Sequence, residues 1–270
     1  MDSPILDLKN INIAPDSVHL YIPPIVWKGD SIGHIGTFDV FFLVLEGECF
    51  LRIEGEHFIV SKGQLAFLPK GKMRQYTQIS ENFSMYEVRF DASTDGENLM
   101  QALGLADSDY VVNLRSSNEV QTLFESSSRE ELFKSPLYFL DLSSNIINII
   151  RIYTEERRLQ KGSDSGFFKP VLEYMSENLE KSLTLSELSA IVFMHPTYFV
   201  RRFGQCFGIS PLAYFNRMKI YYTMGLLTST HASVEEIAKA VGFSDSSYFA
   251  RVFKKYTSTT PTEYRAAFKR

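Results

Sequence analysis

Ile237-Ala238-Lys239-Ala240-Val241-Gly242-Phe243, running on into Ser247-Tyr248-Phe249-Ala250-Arg251-Val252-Phe253, is an amphipathic segment, a glycine turn and a second amphipathic segment. The pattern also stands upstream, where Leu188-Ser189-Ala190-Ile191-Val192-Phe193-Met194 leads into Thr197-Tyr198-Phe199-Val200-Arg201-Arg202-Phe203. Before the turn the copies are offset by 49 residues (Leu188 with Ile237); after it the offset is 50 (Tyr198 with Tyr248, Arg201 with Arg251, Pro211 with Pro261, Tyr214 with Tyr264). One extra residue therefore sits in the second turn. A duplicated pair of short helices is a supersecondary module of helix-turn-helix type; a solenoid needs about three or more units to bury a continuous core.

Helix starts are marked alike in both copies. Thr184-Leu185-Ser186-Glu187 and Ser233-Val234-Glu235-Glu236 each put a hydroxyl at the N-cap and a Glu three residues on, a capping box that satisfies orphaned backbone donors. Ser210-Pro211 and Thr260-Pro261 put a capping hydroxyl before a proline at the first helical position, where the missing N–H costs nothing.

The run Val241-Gly242-Phe243-Ser244-Asp245-Ser246-Ser247-Tyr248-Phe249-Ala250-Arg251-Val252-Phe253-Lys254-Lys255-Tyr256, with Thr260-Pro261-Thr262-Glu263-Tyr264-Arg265 after it, resembles the signature of the AraC/XylS transcriptional regulators. The resemblance covers roughly residue 167 to the end. It implies seven helices, two helix-turn-helix units joined by a long helix over about 211–228, and one recognition helix of each unit in successive major-groove faces of one promoter site. It also implies a partner in RNA polymerase and activation of transcription.

A recognition helix offers its N-terminal positions and one i, i+3/i+4 stripe to base edges. Expected base contacts are Pro196, Thr197, Val200 and Arg201 in the first unit, and Ser246, Ser247, Tyr248 and Arg251 in the second. The arginines are the strongest, because Arg bonds bidentately to guanine; the alternative for each is a solvated or intramolecular ion pair. Arg202, Lys219, Lys254 and Lys255 are expected at phosphates, or else on a solvated helix face. Phe199, Phe203, Phe249 and Phe253, on the opposite stripe, are expected in the core.

The first unit departs from the family pattern. It has Gly204-Gln205-Cys206 where the second has Lys254-Lys255-Tyr256, and His195-Pro196 stands in place of Ser-Pro before its recognition helix. Gly225 interrupts the long helix at a cost of about 1 kcal/mol relative to Ala.

Charge divides the chain. Residues 167–270 hold 7 Lys and 6 Arg against 8 acids, a net of +5, whereas residues 1–166 hold 15 basic and 24 acidic residues, a net of −9. The first suits phosphates; the second is repelled by them and must act otherwise. The fold expected is α+β in two domains: a cupin-like barrel or jelly roll with following helices (1–161), a linker at Lys161-Gly162-Ser163-Asp164-Ser165-Gly166 (162–166), and an all-α DNA-binding domain (167–270) with units at about 184–204 and 233–255. The chain opens without an apolar leader and has no run of 18 apolar residues, so a cytoplasmic protein with no membrane partner is expected; Cys49 and Cys206 suggest reduced thiols.

In the first part, aromatic and β-branched runs at 38–45, 49–53, 57–60, 65–68 and 83–90 alternate with Glu46-Gly47-Glu48, Glu54-Gly55-Glu56, Ser61-Lys62-Gly63 and Pro69-Lys70-Gly71, the pattern of a small barrel or jelly roll. These turns resemble those of the cupin-like sensor domain of AraC-type regulators, which implies a small-molecule effector. Trp27, His34, Phe42, Arg74, Tyr86 and Arg89 are the candidate pocket, with Arg74 or Arg89 for an anionic group; the alternative for the aromatics is barrel core. His34 and His57 are isolated, no His-x-His occurs and Arg74 follows the Pro-x-Gly turn, so no metal, no other cofactor and no catalytic residue is expected.

Residues 136–160 are expected to be helical, with Leu137, Leu140, Ile146, Ile147, Ile149, Ile150 and Tyr153 forming a broad apolar stripe. The resemblance implies a homodimer through this helix; packing on its own barrel is the other reading. The function expected is a sequence-specific regulator. The alternatives are an effector-independent or architectural DNA binder and, less in keeping with the residues, a cupin-type enzyme.

Overall fold

A computed structural model describes residues 9–22, 33–80, 82–107, 109–133, 136–161 and 167–268, and has ten strands and ten helices among them. One sheet runs β1 (Asn12–Tyr21), β8 (Ser84–Thr94), β3 (Asp39–Glu46), β6 (Gln64–Leu68) and β10 (Val111–Asn113), with β9 (Glu97–Asn98) beside β8. The other runs β2 (His34–Ile35), β7 (Met73–Gln78), β4 (Glu48–Ile53) and β5 (Glu56–Ser61). All pairings are antiparallel.

The continuous apolar run of β3 follows from its place in a three-layer stack. Val40, Phe42 and Val44 alternate into the space between the sheets, with Leu51, Ile53, Val60 and Leu68. Phe41 and Leu43 point the other way, into a core shared with α2 (Ser117–Phe133) and α3 (Tyr138–Lys161). A two-residue turn, Glu54 (φ 49°) and Gly55 (φ 91°), joins β4 to β5; both residues lie at positive φ, as a type I′ hairpin requires. The Pro69-Lys70-Gly71 turn is fastened by Asp39, whose Oδ1 accepts from the Lys70 N–H at 2.8 Å.

Helix α3 divides the expected apolar stripe. Leu142, Ile146, Ile149, Ile150 and Tyr153 are buried against the sheet, each worth about 1.5–3 kcal/mol as an upper estimate. Leu137, Phe139, Leu140 and Ile147 are exposed. Strands β1 and β7 and helix α2 had no counterpart among the sequence expectations; β7 (Met-Arg-Gln-Tyr-Thr-Gln) is too polar for an apolar pattern to mark it. A short α1 (Leu99–Ala102) precedes β10.

Seven helices follow: α4 (Lys169–Glu177), α5 (Leu185–Ile191), α6 (Pro196–Phe207), α7 (Pro211–Ser229), α8 (Val234–Ala240), α9 (Ser246–Thr257) and α10 (Pro261–Phe268). Their core joins Phe168, Met175, Leu188, Met218, Leu227 and Ile237 to Phe199, Phe203, Phe249 and Phe253, and takes in Phe50 and Ile59 from the outer face of β4 and β5. The helical module is thus seated on the smaller sheet. The expected linker, 162–166, lies outside the described residues.

Candidate nucleic-acid interface

Side chains fix the helices of each unit at their starts. The Thr184 hydroxyl accepts from the Glu187 N–H at 3.2 Å while the Glu187 carboxylate accepts from the Thr184 N–H at 2.7 Å. Ser233 and Glu236 repeat the box at 3.1 and 2.7 Å, and Thr260 with Glu263 forms a third at 3.2 and 2.7 Å. The unusual His195 is itself a cap: its Nδ1 accepts from the Thr197 N–H at 3.4 Å. The turns differ as the offsets require. In the second, Gly242 (φ 71°) lies where a Cβ would collide with the Glu180 carbonyl. Its counterpart Phe193 holds φ 51° with a side chain 98% exposed.

Each recognition helix, α6 and α9, buries one phenylalanine pair and presents the opposite face. On that face Thr197 and Arg201 are exposed in the first unit, with Pro196 and Val200 half-buried. Ser246, Ser247, Tyr248 and Arg251 are exposed in the second. The Arg201 guanidinium lies 5.2 Å from the Tyr198 ring centroid and that of Arg251 5.8 Å from the Tyr248 ring. Among the described residues neither arginine is paired with a carboxylate. Tyr198 was missed by the sequence reading although the repeat offset aligns it with Tyr248; both are 44% exposed.

Lys254 and Lys255 are exposed near the end of α9, where cations also suit the helix dipole. Arg202 is half-buried against the rings of Phe167 (5.5 Å) and Tyr198 (5.8 Å). Lys219 corrects an expectation. It is 3% exposed, donates to the Lys181 carbonyl and sits 4.7 Å from the Phe215 ring centroid and 5.5 Å from that of Phe243, so it braces the module and does not reach a phosphate. Burial pushes its ammonium down to about 8.

Within the sandwich, His34, Phe42, Arg74 and Arg89 come together around a cavity of about 70 Å³, joined by Tyr76 and Glu87. Arg74 is held by the carbonyls of Phe38 and Leu68, each at 3.1 Å, and packs on Gly36, where any Cβ would overlap the guanidinium. Arg89 is neutralised by Glu87 at 2.5 Å. Tyr86 is a correction: on β8 it faces the other way, stacked on Phe124 of α2 at 5.7 Å. Trp27 lies outside the described residues. Among the described residues no group of three or more His, Cys, Asp or Glu side chains is placed to hold a metal ion, and no helix is long and apolar enough to cross a membrane.

Residues 188–267 match the family model of a helix-turn-helix domain, and residues 34–135 that of the AraC-like ligand binding domain. In both of its parts the chain is similar to AraC-type regulators. The MmsAB operon regulatory protein of Pseudomonas aeruginosa is 38% identical over 92 residues, 34% of this chain and 30% of that one. The virulence regulon transcriptional activator VirF of Yersinia enterocolitica is 30% identical over 169 residues, 63% of this chain and 54% of that one. Among solved structures, the C-terminal domain of the two-component response regulator yesN from Fusobacterium nucleatum is 33% identical, with a TM-score of 0.34, over 35% of this chain and 93% of that one. The matches span about a third to a half of the curated AraC/XylS relatives' length.

Proposed function

We propose that the chain is a sequence-specific regulator of transcription, and not an enzyme, that reads promoter DNA with α6 and α9. The observation that carries this is the repeated exposed pair, Tyr198 with Arg201 and Tyr248 with Arg251, on the outward stripe of two equivalent helices. An arginine over a tyrosine face is restrained without losing its guanine-matching fork. Helix α7, 19 residues and about 28 Å long, is a spacer of the order of one DNA turn.

The working domains are 1–161, a linker at 162–166, and 167–270, in a cytoplasmic protein. Base contacts are assigned to Pro196, Thr197, Val200, Arg201, Ser246, Ser247, Tyr248 and Arg251, and phosphate contacts to Arg202, Lys254 and Lys255. The roles of the relatives, operon regulator and transcriptional activator, support regulation. A small molecule in the sandwich cavity, at His34, Phe42, Arg74 and Arg89, is the candidate effector site, and contact with RNA polymerase follows from the family.

The exposed side of α3, Phe139, Leu140 and Ile147, with Leu137 in the turn before it, supports a homodimer through this helix. Fluorescence anisotropy of labelled promoter fragments with wild-type protein and the Arg201→Ala, Arg251→Ala double variant tests the reading. Sequence-selective binding lost in the double variant upholds it; equal affinity for all fragments in both proteins favours the architectural alternative.

A further inference from the structure

The seam between the smaller sheet and the helical module encloses a cavity of about 580 Å³, within the range of about 300–1,000 Å³ usual for small-molecule sites. Strand β5, the end of α3, and helices α4, α6 and α7 all contribute to its wall. Phe58, Ile59, Leu172, Phe207 and Tyr214 make part of that wall apolar.

Its charges are unequally matched. Arg217 is paired with Glu48; Lys169 is 2.6 Å from Asp109, and Arg157 is 3.6 Å from the same carboxylate. Glu173 is 3.7 Å from Lys169, so every cation of the wall already faces an acid. Glu56 is the acid left over: among the described residues no hydrogen-bond donor is directed at it. Next to it, His57 is 9% exposed, its ring against Phe50 (5.5 Å) and Tyr222 (5.4 Å). Neither ring nitrogen of His57 has a hydrogen-bond partner. His57 lies on the opposite face of β5 from Glu56, paired with Arg52, and its ring nitrogens are sealed from the cavity, so it takes no part in binding there.

The surplus acid and the apolar wall call for an occupant with a positive charge and an apolar body. We propose that the seam cavity binds a small organic cation, an ammonium on an apolar chain or ring, with Glu56 as its counter-ion. A metal ion does not suit the site, since no three ligating side chains converge among the described residues. An anion would have to displace Glu48 or Asp109 from a cation. Burial raises Glu56, and the nearby Lys169, already engaged by Asp109 and Glu173, opposes the rise without reversing it. Because both parts of the chain form the wall, occupancy couples to how the helical module sits on the sheet.

The test uses the full chain and three matched six-carbon probes, hexylammonium, hexanoate and 1-hexanol, in isothermal titration calorimetry. Hexylammonium is expected to bind at least ten-fold tighter than either other probe. Glu56→Gln is expected to weaken it about ten-fold while leaving 1-hexanol unchanged, and Leu172→Trp, which fills the cavity, to abolish binding of all three. Tightest binding of hexanoate, no binding of any probe, or indifference of hexylammonium to Glu56→Gln overturns the proposal. Glu56→Gln is nearly isosteric and decides the matter alone if Leu172→Trp does not fold. No DNA is present, so failure here leaves the DNA-binding reading untouched.

Discussion

Arg217 of α7 is ion-paired with Glu48 of β4, the two side chains 15% and 30% exposed, and its Nε donates to the Tyr221 hydroxyl at 3.0 Å. The pair ties the helix that spaces the two recognition units to the sheet of the sensor-like part. Gly225, one turn on from Tyr221, has the same context: a Cβ there would lie 2.8 Å from the Gln75 amide nitrogen of β7. The interruption of the long helix is thus a point of close approach between the two parts.

Surface pairs contribute about 0–1 kcal/mol, whereas breaking a buried pair costs about 3–5 kcal/mol. Arg217–Glu48 lies between these limits. Arg217→Met is expected to lower unfolding free energy by about 1–3 kcal/mol. The loss in the Arg217→Met, Glu48→Gln double variant should be smaller than the sum of the single losses in a denaturant-based double-mutant cycle. Strict additivity would mean the pair does not hold the seam.

The two turns respond oppositely to substitution. Gly242→Ala places a Cβ against the Glu180 carbonyl at φ 71° and is expected to cost about 2–3 kcal/mol. Phe193→Gly removes a side chain with almost no packing to lose from φ 51°, and is expected to stabilise by about 0.5–1 kcal/mol. Thermal unfolding of both variants measures the pair of signs.

The capping boxes make part of the stability acid-sensitive. Hydrogen bonds from their caps hold Glu187, Glu236 and Glu263 below the ordinary value near 4.5. A lowered folded pKa gives stability that is present above the unfolded value and lost as pH falls through the folded one. Replacing all three with Gln should flatten the decline of stability below about pH 4.5. Thr184→Ala or Ser233→Ala should each cost about 1 kcal/mol at neutral pH.

Lys219 and Lys254 separate bracing from phosphate contact. Lys254→Ala should weaken binding to all DNA sequences alike and reduce the salt slope by about 1; Lys219→Met should leave that slope unchanged. Folded protein holds fewer protons on Lys219 than the unfolded chain between about 8 and 10.5, so stability rises with pH across that window. Lys219→Met should remove this rise in pH-dependent urea unfolding.

The helix-turn-helix repeat was legible because its signals are local: caps, prolines and a phenylalanine pair at fixed offsets. The facing of side chains in the sandwich was legible only in part. Tyr86 and Arg89 are three residues apart on one strand, an odd separation that sends them to opposite faces, so parity already argued against one shared pocket. Lys219 was misplaced because a lysine on a long helix reads as solvated, while its burial depends on Phe243 and Lys181 arriving from distant segments. The seam had no sequence signal: Glu48, Phe50, His57 and Ile59 alternate as an ordinary strand face, and only the tertiary arrangement turns that face toward α7.

Selection of randomised duplex DNA by the full-length protein at about 150 mM salt, with sequencing of the bound pool, tests the central claim most directly. The account predicts two enriched blocks about one helical turn apart, with one position in one block losing its preference in Arg251→Ala and one in the other in Arg201→Ala. A pool without enrichment, or blocks unchanged by both substitutions, would contradict it.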